Sequence, residues 1–249
     1  MTFSKDIHNR FKEQASWTYQ VQELFFKSAH LIPQSNVLEV GCGTGAFLQS
    51  LSSIGKVNLY GIDIQPDLLT AAQTNTISSQ IACADANSLP FEDNLFDAVL
   101  CHYFLLWIKN IDRVLGEMYR VLKPGGMMAA LAEPDYGSQI NYPSEFSILG
   151  EKQRESLIRQ GANPDFGRQL PTALARSGCS DISFGIMGAF QQVSYNSEQI
   201  KSEQQLISSD IHNEISEEAL ISLLKQDTLC RVENTRVHFI PTFYAWGKK

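Results

Sequence analysis

The segment VLEVGCGTG, residues 37–45, constrains the fold of this chain more than any other. It reads as a short apolar strand that runs into a glycine-rich turn, and the residues after it carry helical periodicity. Gly41, Gly43 and Gly45 permit positive φ angles and a close approach of the backbone to a ligand, while the first amides of the following helix point at that ligand. This order of elements predicts a nucleotide-binding edge of an α/β sheet.

Strand-like and helix-like segments alternate after the glycine turn. LYGIDI, SQIACAD, residues 96–101 and MMAALAE read as further strands, and IDRVLGEMYRVL reads as an amphipathic helix that LKPGG stops. The alternation predicts a parallel sheet with helices on both faces. Acidic residues stand at or near the ends of these strands: Glu39, Asp63, Asp85 and Glu133. Since ligands bind outside the carboxyl ends of such strands, the fold should gather these acids at the binding edge.

The chain is predicted to form one domain of 249 residues. The predicted parts are N-terminal helices that could form a lid (1–34), a core (35–134), two insertions (135–178 and 196–228) and closing strands (179–195 and 229–249). Both insertions are longer than simple connections, which makes a small helical cap over the ligand plausible. Pro241 interrupts the last strand, as suits an edge position or a bulge.

Composition and charge narrow the function classes. No window approaches the roughly 20 consecutive apolar residues of a membrane span, and the N-terminus lacks the apolar core of a signal peptide, so we expect a cytoplasmic protein. The net charge of −7 argues against a nucleic-acid partner, which would need a basic face. The five cysteines form no CxxC pair, and no histidine cluster has metal-ligand spacing, so neither disulfides nor a metal site are predicted.

The glycine motif alone does not choose between two cofactors. GCGTGA also fits the dinucleotide pattern GxGxx(G/A), and Asp63 lies about 20 residues further on, where the ribose-binding acid of an NAD site would stand. An NAD(P)-dependent oxidoreductase is therefore one hypothesis, although no Tyr-x-x-x-Lys pair is evident.

Four motifs in order resemble the class I S-adenosylmethionine-dependent methyltransferases that act on small molecules. They are VLEVGCGTG, ADANSLPF, FDAVLCHYFLLWI and RVLKPGG, and the resemblance covers roughly residues 35–133. It implies a doubly wound, Rossmann-like sheet of seven mostly parallel strands, the last one antiparallel. It also implies S-adenosylmethionine as cofactor, S-adenosylhomocysteine as product and a small-molecule acceptor. A non-catalytic protein that keeps the cofactor site is a second alternative, and methylation of protein or RNA is disfavoured by the acidic charge.

The resemblance also implies a set of cofactor contacts. The backbone of the glycine turn would approach the methionyl part, Asp63 the ribose, Asp85 the adenine, and Glu39 would act near the methionyl amine. The full predicted set is Trp17, Glu39, Gly41, Cys42, Gly43, Gly45, Asp63, Ile64, Asp85, Ala86 and His102. Helix capping is the plainer alternative for the two aspartates.

Candidates for catalysis are His102 and Tyr103 after the fourth strand and Tyr136 after the fifth. A lone histidine in an apolar run is more often a packed residue than a base. Methyl transfer is an in-line displacement that positioning can accelerate, and a base is needed only when the acceptor holds its proton. Arg168 is expected to pair with an internal carboxylate. The sequence does not identify the acceptor.

Overall fold

The structure, a computed structural model, describes residues 5–76, 79–187, 197–211 and 214–249. Its helices are α1 (Lys5–Trp17), α2 (Tyr19–Ser28), α3 (Ala46–Leu51), α4 (Pro66–Asn75), α5 (Ile111–Val121), α6 (Ser147–Arg159), α7 (Leu170–Arg176), α8 (Ser197–Ile211) and α9 (Glu217–Val232). Its strands are β1 (Asn36–Val40), β2 (Asn58–Asp63), β3 (Gln80–Cys83), β4 (Phe96–Cys101), β5 (Leu122–Pro134), β6 (Ile140–Tyr142), β7 (Ser180–Met187), β8 (Val237–Phe239) and β9 (Thr242–Lys248). None of these helices carries an apolar stretch long enough to cross a bilayer.

Seven strands form one sheet in the order β3-β2-β1-β4-β5-β9-β7. The first five strands of this order pair in parallel, and β9 runs antiparallel to both β5 and β7. This confirms the predicted Rossmann-like sheet with its last strand antiparallel. The strand order reverses between β1 and β4, because β2 and β3 lie on one side of β1 and β4 lies on the other. Such sheets bind ligands at the carboxyl ends of the strands beside this switch point.

The central strands of the sheet are buried on both faces, which is why they are apolar runs rather than alternating patterns. On β1, Val37 packs with helices α2 and α3, whereas Leu38 and Val40 pack on the opposite face with α5 and α7. Asn110 caps the start of helix α5, since its side-chain oxygen accepts a hydrogen bond from the backbone N–H of Arg113 at 3.2 Å. The apolar stripe of α5 then faces the sheet.

Helices α6, α8 and α9 share a separate small core, and we call these three helices the cap. Their buried apolar residues are Leu149, Ile207, Ile211 and Leu220, together with Phe146 just before α6. Helix α7 does not belong to the cap, because Leu170, Ala173 and Leu174 pack in the core of the main sheet. The predicted insertion 135–178 therefore combines a cap helix with a core helix.

The last predicted strand divides into two strands that belong to different sheets. β8 pairs antiparallel with β6 in a two-stranded sheet beside the cap, while β9 completes the main sheet. Pro241, which lacks a backbone N–H, stands at the division. The predicted closing segment 229–249 also begins inside α9, which extends to Val232. The predicted sixth strand is β7, and its continuation at 188–190 lies outside the described residues.

Candidate functional site

The glycine turn after β1 adopts a conformation that few residues other than glycine accept. Gly41, Gly43 and Gly45 have φ angles of 78°, 51° and 74°. The backbone amides of Gly41 and Cys42 both donate to the Ile62 carbonyl at 2.8 Å, which ties the turn to β2. The turn therefore presents a fixed, narrow backbone surface at the carboxyl edge of the sheet.

Phe104, just beyond β4, closes one side of this turn. A Cβ atom added at Gly41 would collide with the Phe104 ring, so the glycine is required here by a close contact as well as by its φ angle. The sequence offered no signal for this contact, because the two residues lie 63 positions apart and meet only through the adjacency of β1 and β4.

Asp63 at the end of β2 connects the glycine turn to the next helix. Its Oδ2 accepts from the Gly43 backbone N–H at 2.9 Å, and its Oδ1 accepts from the N–H of Gln65, the residue before α4, also at 2.9 Å. Ile64 beside it is 63% exposed, which is unusual for an isoleucine and leaves an apolar surface at the edge. Both the ligand-binding and the structural interpretation of Asp63 are compatible with this geometry.

Asp85 lies two residues beyond β3 at the exposed side of the same edge. Its Oδ1 accepts hydrogen bonds from the backbone and side-chain nitrogens of Asn87 at 2.8 and 2.9 Å. These bonds lower the pKa of the Asp85 carboxyl. Ala86 next to it is buried. Asp85 thus stays ionised and forms a turn rather than a helix cap.

Glu39 on β1 is the residue that the protein itself leaves incompletely bonded. Its side chain is 2% exposed, and within the described part of the chain its Oε2 has no hydrogen-bond partner. Burial raises the pKa of Glu39 well above the ordinary value, and the nearby charge of Asp63 raises it further. A buried carboxylate oxygen without a partner is costly, so this atom is available to a cationic or hydrogen-bonding group.

Helix α1 lies over the glycine turn. The Phe11 ring is 3.4 Å from the position that a Cβ atom on Gly43 would take. The His8 Nδ1 lies 2.9 Å from Thr44 Oγ1 and 3.0 Å from Asn75 Nδ2, and the same Asn75 amide donates to the Thr44 carbonyl at 3.1 Å. These contacts join the first turns of α1 to the glycine turn and to the end of α4.

His102, predicted both as a cofactor contact and as a catalytic candidate, is packed and neutral. Its ring stacks on Phe47 at 4.1 Å, and its Nε2 lies 3.0 Å from the hydroxyl of buried Thr18. Burial lowers the pKa of His102 to about 3, so it does not carry a proton near neutral pH. Trp17, a predicted cofactor contact in the N-terminal helices, is the last residue of α1 and is 51% exposed.

The two candidate tyrosines keep their protons. Burial raises the pKa of Tyr103 far above its usual range and raises that of Tyr136 to about 12. Tyr103 also has a φ of 49°, which is rare for a bulky residue and marks a locally strained turn after β4. Both phenols can therefore donate hydrogen bonds near neutral pH, but neither is a ready base.

The carboxylates at the end of β5 and just after it are bonded within the protein. Glu133 is fully buried and accepts from three successive backbone N–H groups, those of Phe104, Leu105 and Leu106, at 2.9 to 3.1 Å. Burial raises the pKa of Glu133 to about 7, although those bonds lower it. Buried Asp135 accepts two hydrogen bonds from Arg168, each at 2.5 Å, so the predicted internal pairing of Arg168 is confirmed.

Comparison with known proteins identifies the middle of the chain. Residues 38–130 match the family described as a methyltransferase domain. The demethylmenaquinone methyltransferase of Symbiobacterium thermophilum is 31% identical over 134 residues, which are 51% of this chain and 53% of that protein. The biotin biosynthesis bifunctional protein of Saccharophagus degradans is 30% identical over 72% of this chain and 29% of its own length. The chain thus spans about half or less of these relatives.

Solved structures share the fold. The putative sarcosine dimethylglycine methyltransferase of Galdieria sulphuraria superposes with a TM-score of 0.60 at 14% identity, covering 93% of this chain and 85% of that one. Phosphoethanolamine N-methyltransferase 2 of Haemonchus contortus, solved with S-adenosyl-L-methionine, has a TM-score of 0.56 at 19% identity and covers 88% of this chain and 49% of that one.

Proposed function

Since the chain belongs to the class I S-adenosylmethionine-dependent methyltransferase family, we propose that it binds S-adenosylmethionine at the glycine-loop edge and methylates a small molecule. The glycine-loop edge comprises residues 41–45 with the ends of β1, β2 and β4. The observation that carries the proposal is the unpartnered Oε2 of buried Glu39 beside a glycine turn that presents its backbone.

The residues present fit this cofactor. The methionyl ammonium needs a hydrogen-bond acceptor. Glu39 Oε2 could serve as this acceptor without breaking another hydrogen bond, because it has no partner among the described residues. The ribose hydroxyls need a carboxylate, and both oxygens of Asp63 keep a lone pair beyond the N–H groups they already bind. The exposed apolar side chain of Ile64 and the ionised Asp85 would hold the adenine between them.

S-adenosylmethionine supplies a methyl group on a sulfonium cation. The chain's part is to bind and orient, because an in-line displacement gains most from fixed geometry. Tyr103 and Tyr136 would donate hydrogen bonds to the acceptor, and His102 would hold the turn after β4 in place through Thr18 and Phe47. His102 is too weak a base near neutral pH, because its pKa is about 3. The two tyrosines keep their protons, because the pKa of Tyr103 is far above its usual range and that of Tyr136 is about 12.

Equilibrium titration of the pure protein with S-adenosylhomocysteine, followed by calorimetry, tests the proposal. We expect saturable binding of one equivalent. Absence of binding of both S-adenosylmethionine and its product would overturn it, and a nicotinamide cofactor should be titrated in parallel because the glycine pattern also permits NAD(P). Binding without methyl transfer to any acceptor in a panel of small molecules would leave the alternative of a non-catalytic cofactor-binding protein.

A further inference from the structure

The contacts of His8 join helix α1 to the glycine turn, and we call these contacts the latch. Thr44, whose hydroxyl faces His8 Nδ1 at 2.9 Å, is 1% exposed, so this contact is shielded from water. The Asn75 side-chain nitrogen lies 3.0 Å from the same Nδ1, and an amide nitrogen can only donate a hydrogen bond. The nitrogen of His8 therefore acts as an acceptor, and the Thr44 hydroxyl is free to donate to it as well.

This arrangement requires a neutral His8. A proton on Nδ1 would point at the Asn75 amide hydrogens, so the hydrogen bond between these two side chains would be lost. The Thr44 hydroxyl would have to accept a hydrogen bond from Nδ1 rather than donate one. The described groups around His8 do not compensate that proton, because Thr44 and Asn75 are uncharged and the positive charge of Lys12, on the next turn of α1, opposes it. Burial and the Lys12 charge accordingly lower the pKa of His8.

The latch lies beside the residue that covers the glycine turn. Phe11, one turn after His8, covers Gly43. The far end of α1 is held separately, because buried Thr18 binds His102, and the Gln22 amide binds Thr18 and the Ala15 carbonyl at 2.9 and 2.8 Å. Glu13, further along α1, accepts a hydrogen bond from the Ser202 hydroxyl of α8 at 2.8 Å, so releasing His8 frees the first turns of α1 while the rest of the helix stays anchored.

We propose that His8 is a positioning residue that latches helix α1 over the bound cofactor, and that protonation of His8 opens this latch. The inference rests on the proposed function, since it concerns retention of the same cofactor. Because closed α1 requires neutral His8, the closed state binds fewer protons than the open one. Closure is therefore complete above the ordinary histidine pKa and weakens as the pH falls below it.

Two substitutions of His8 distinguish loss of its hydrogen-bond acceptor from loss of its packing. In His8→Asn, the side-chain oxygen takes the place of Nδ1 and accepts the same two bonds, but it cannot be protonated. In His8→Phe, a ring remains and the acceptor is lost. The measurement is the dissociation rate of S-adenosylhomocysteine by stopped-flow from the full chain, at pH 8 and across the acidic range. Hydrogen exchange of residues 5–17 in each variant reports α1 directly.

At pH 8 we expect His8→Phe to release S-adenosylhomocysteine about tenfold faster than the wild type, which corresponds to about 1.4 kcal/mol and lies within the range for a lost hydrogen bond. We expect His8→Asn to stay within about twofold of the wild type. On acidification the wild type should approach His8→Phe, while His8→Asn should not. Equal rates and equal exchange of α1 in all three proteins would overturn the latch and leave the proposed function standing. A wild type that does not bind S-adenosylhomocysteine would instead overturn the proposed function.

Discussion

The glycine-loop edge and the cap treat their buried carboxylates differently. At the edge, Glu39 Oε2 has no partner among the described residues. In the cap region, Asp227 is 1% exposed, and its two oxygens accept from the Nε atoms of Arg231 and Arg236, both at 2.7 Å. Gln204 adds a bond to Asp227 at 3.0 Å. Asp227 is thus fully paired within the chain, whereas Glu39 Oε2 keeps an acceptor position that we propose the cofactor fills.

The difference has a physical reason. The partners of a buried ion pair are fixed by the fold, and removing one of them strongly destabilises the protein. A binding site needs the reverse, a polar atom held ready at some cost to the stability of the free protein. We therefore expect substitutions in the cap to act first on folding and substitutions at the edge to act first on binding.

The largest effect should come from Asp227→Ala. This change leaves two buried arginines without their shared carboxylate, so the free energy of unfolding should fall by about 3–5 kcal/mol, measured by urea titration. Asp93→Ala is the matched control, because Asp93 also pairs with an arginine, Arg120 at 2.7 Å, but is 67% exposed. We expect it to cost about 1 kcal/mol or less. Similar costs for the two variants would contradict the contrast.

Gly41→Ala should act mainly on the edge. The added Cβ would meet the Phe104 ring, and a φ of 78° strains any residue with a Cβ by about 1–2 kcal/mol. The turn must shift to relieve both, and with it the backbone amides that approach the cofactor. We expect calorimetry to show S-adenosylhomocysteine binding weakened by more than about tenfold. Unchanged affinity would place the cofactor away from this turn.

Glu39→Gln should separate binding from stability. The cofactor loses a charged acceptor for its ammonium group, so its affinity should fall by about tenfold. The free protein should become more stable, because the cost of burying an ionisable carboxyl group is removed. Since the pKa of Glu39 is raised, its unfavourable contribution grows as the pH rises above the ordinary carboxyl value of 4.5. The stability gap between variant and wild type, followed by thermal melts, should widen in that direction.

The sequence predicted the fold around the edge because the signals for it are local. Glycines after an apolar strand and acids at strand ends each report the conformation of a few neighbouring residues, and parallel pairing then brings them together. The contacts that finish the site are not local: Phe104 on Gly41 and His8 on Thr44 depend on how separate elements pack. Pro241 marked a break in the last strand, but the pairing of β8 with β6 depends on a distant segment.

The smallest predicted effect, that of Gly116→Ala, checks that glycine is required only where the site demands it. Gly116 lies within α5, and a Cβ added there would contact no described atom within 4 Å beyond the neighbouring backbone of its own helix. Alanine loses less backbone entropy than glycine in a helix, so this variant should be more stable by about 0.5–1 kcal/mol, measured in the same urea titration. Its affinity for S-adenosylhomocysteine should match the wild type. A loss of affinity as large as that of Gly41→Ala would mean that α5 and the edge are coupled, and the weakened binding of Gly41→Ala could then no longer be assigned to the glycine turn alone.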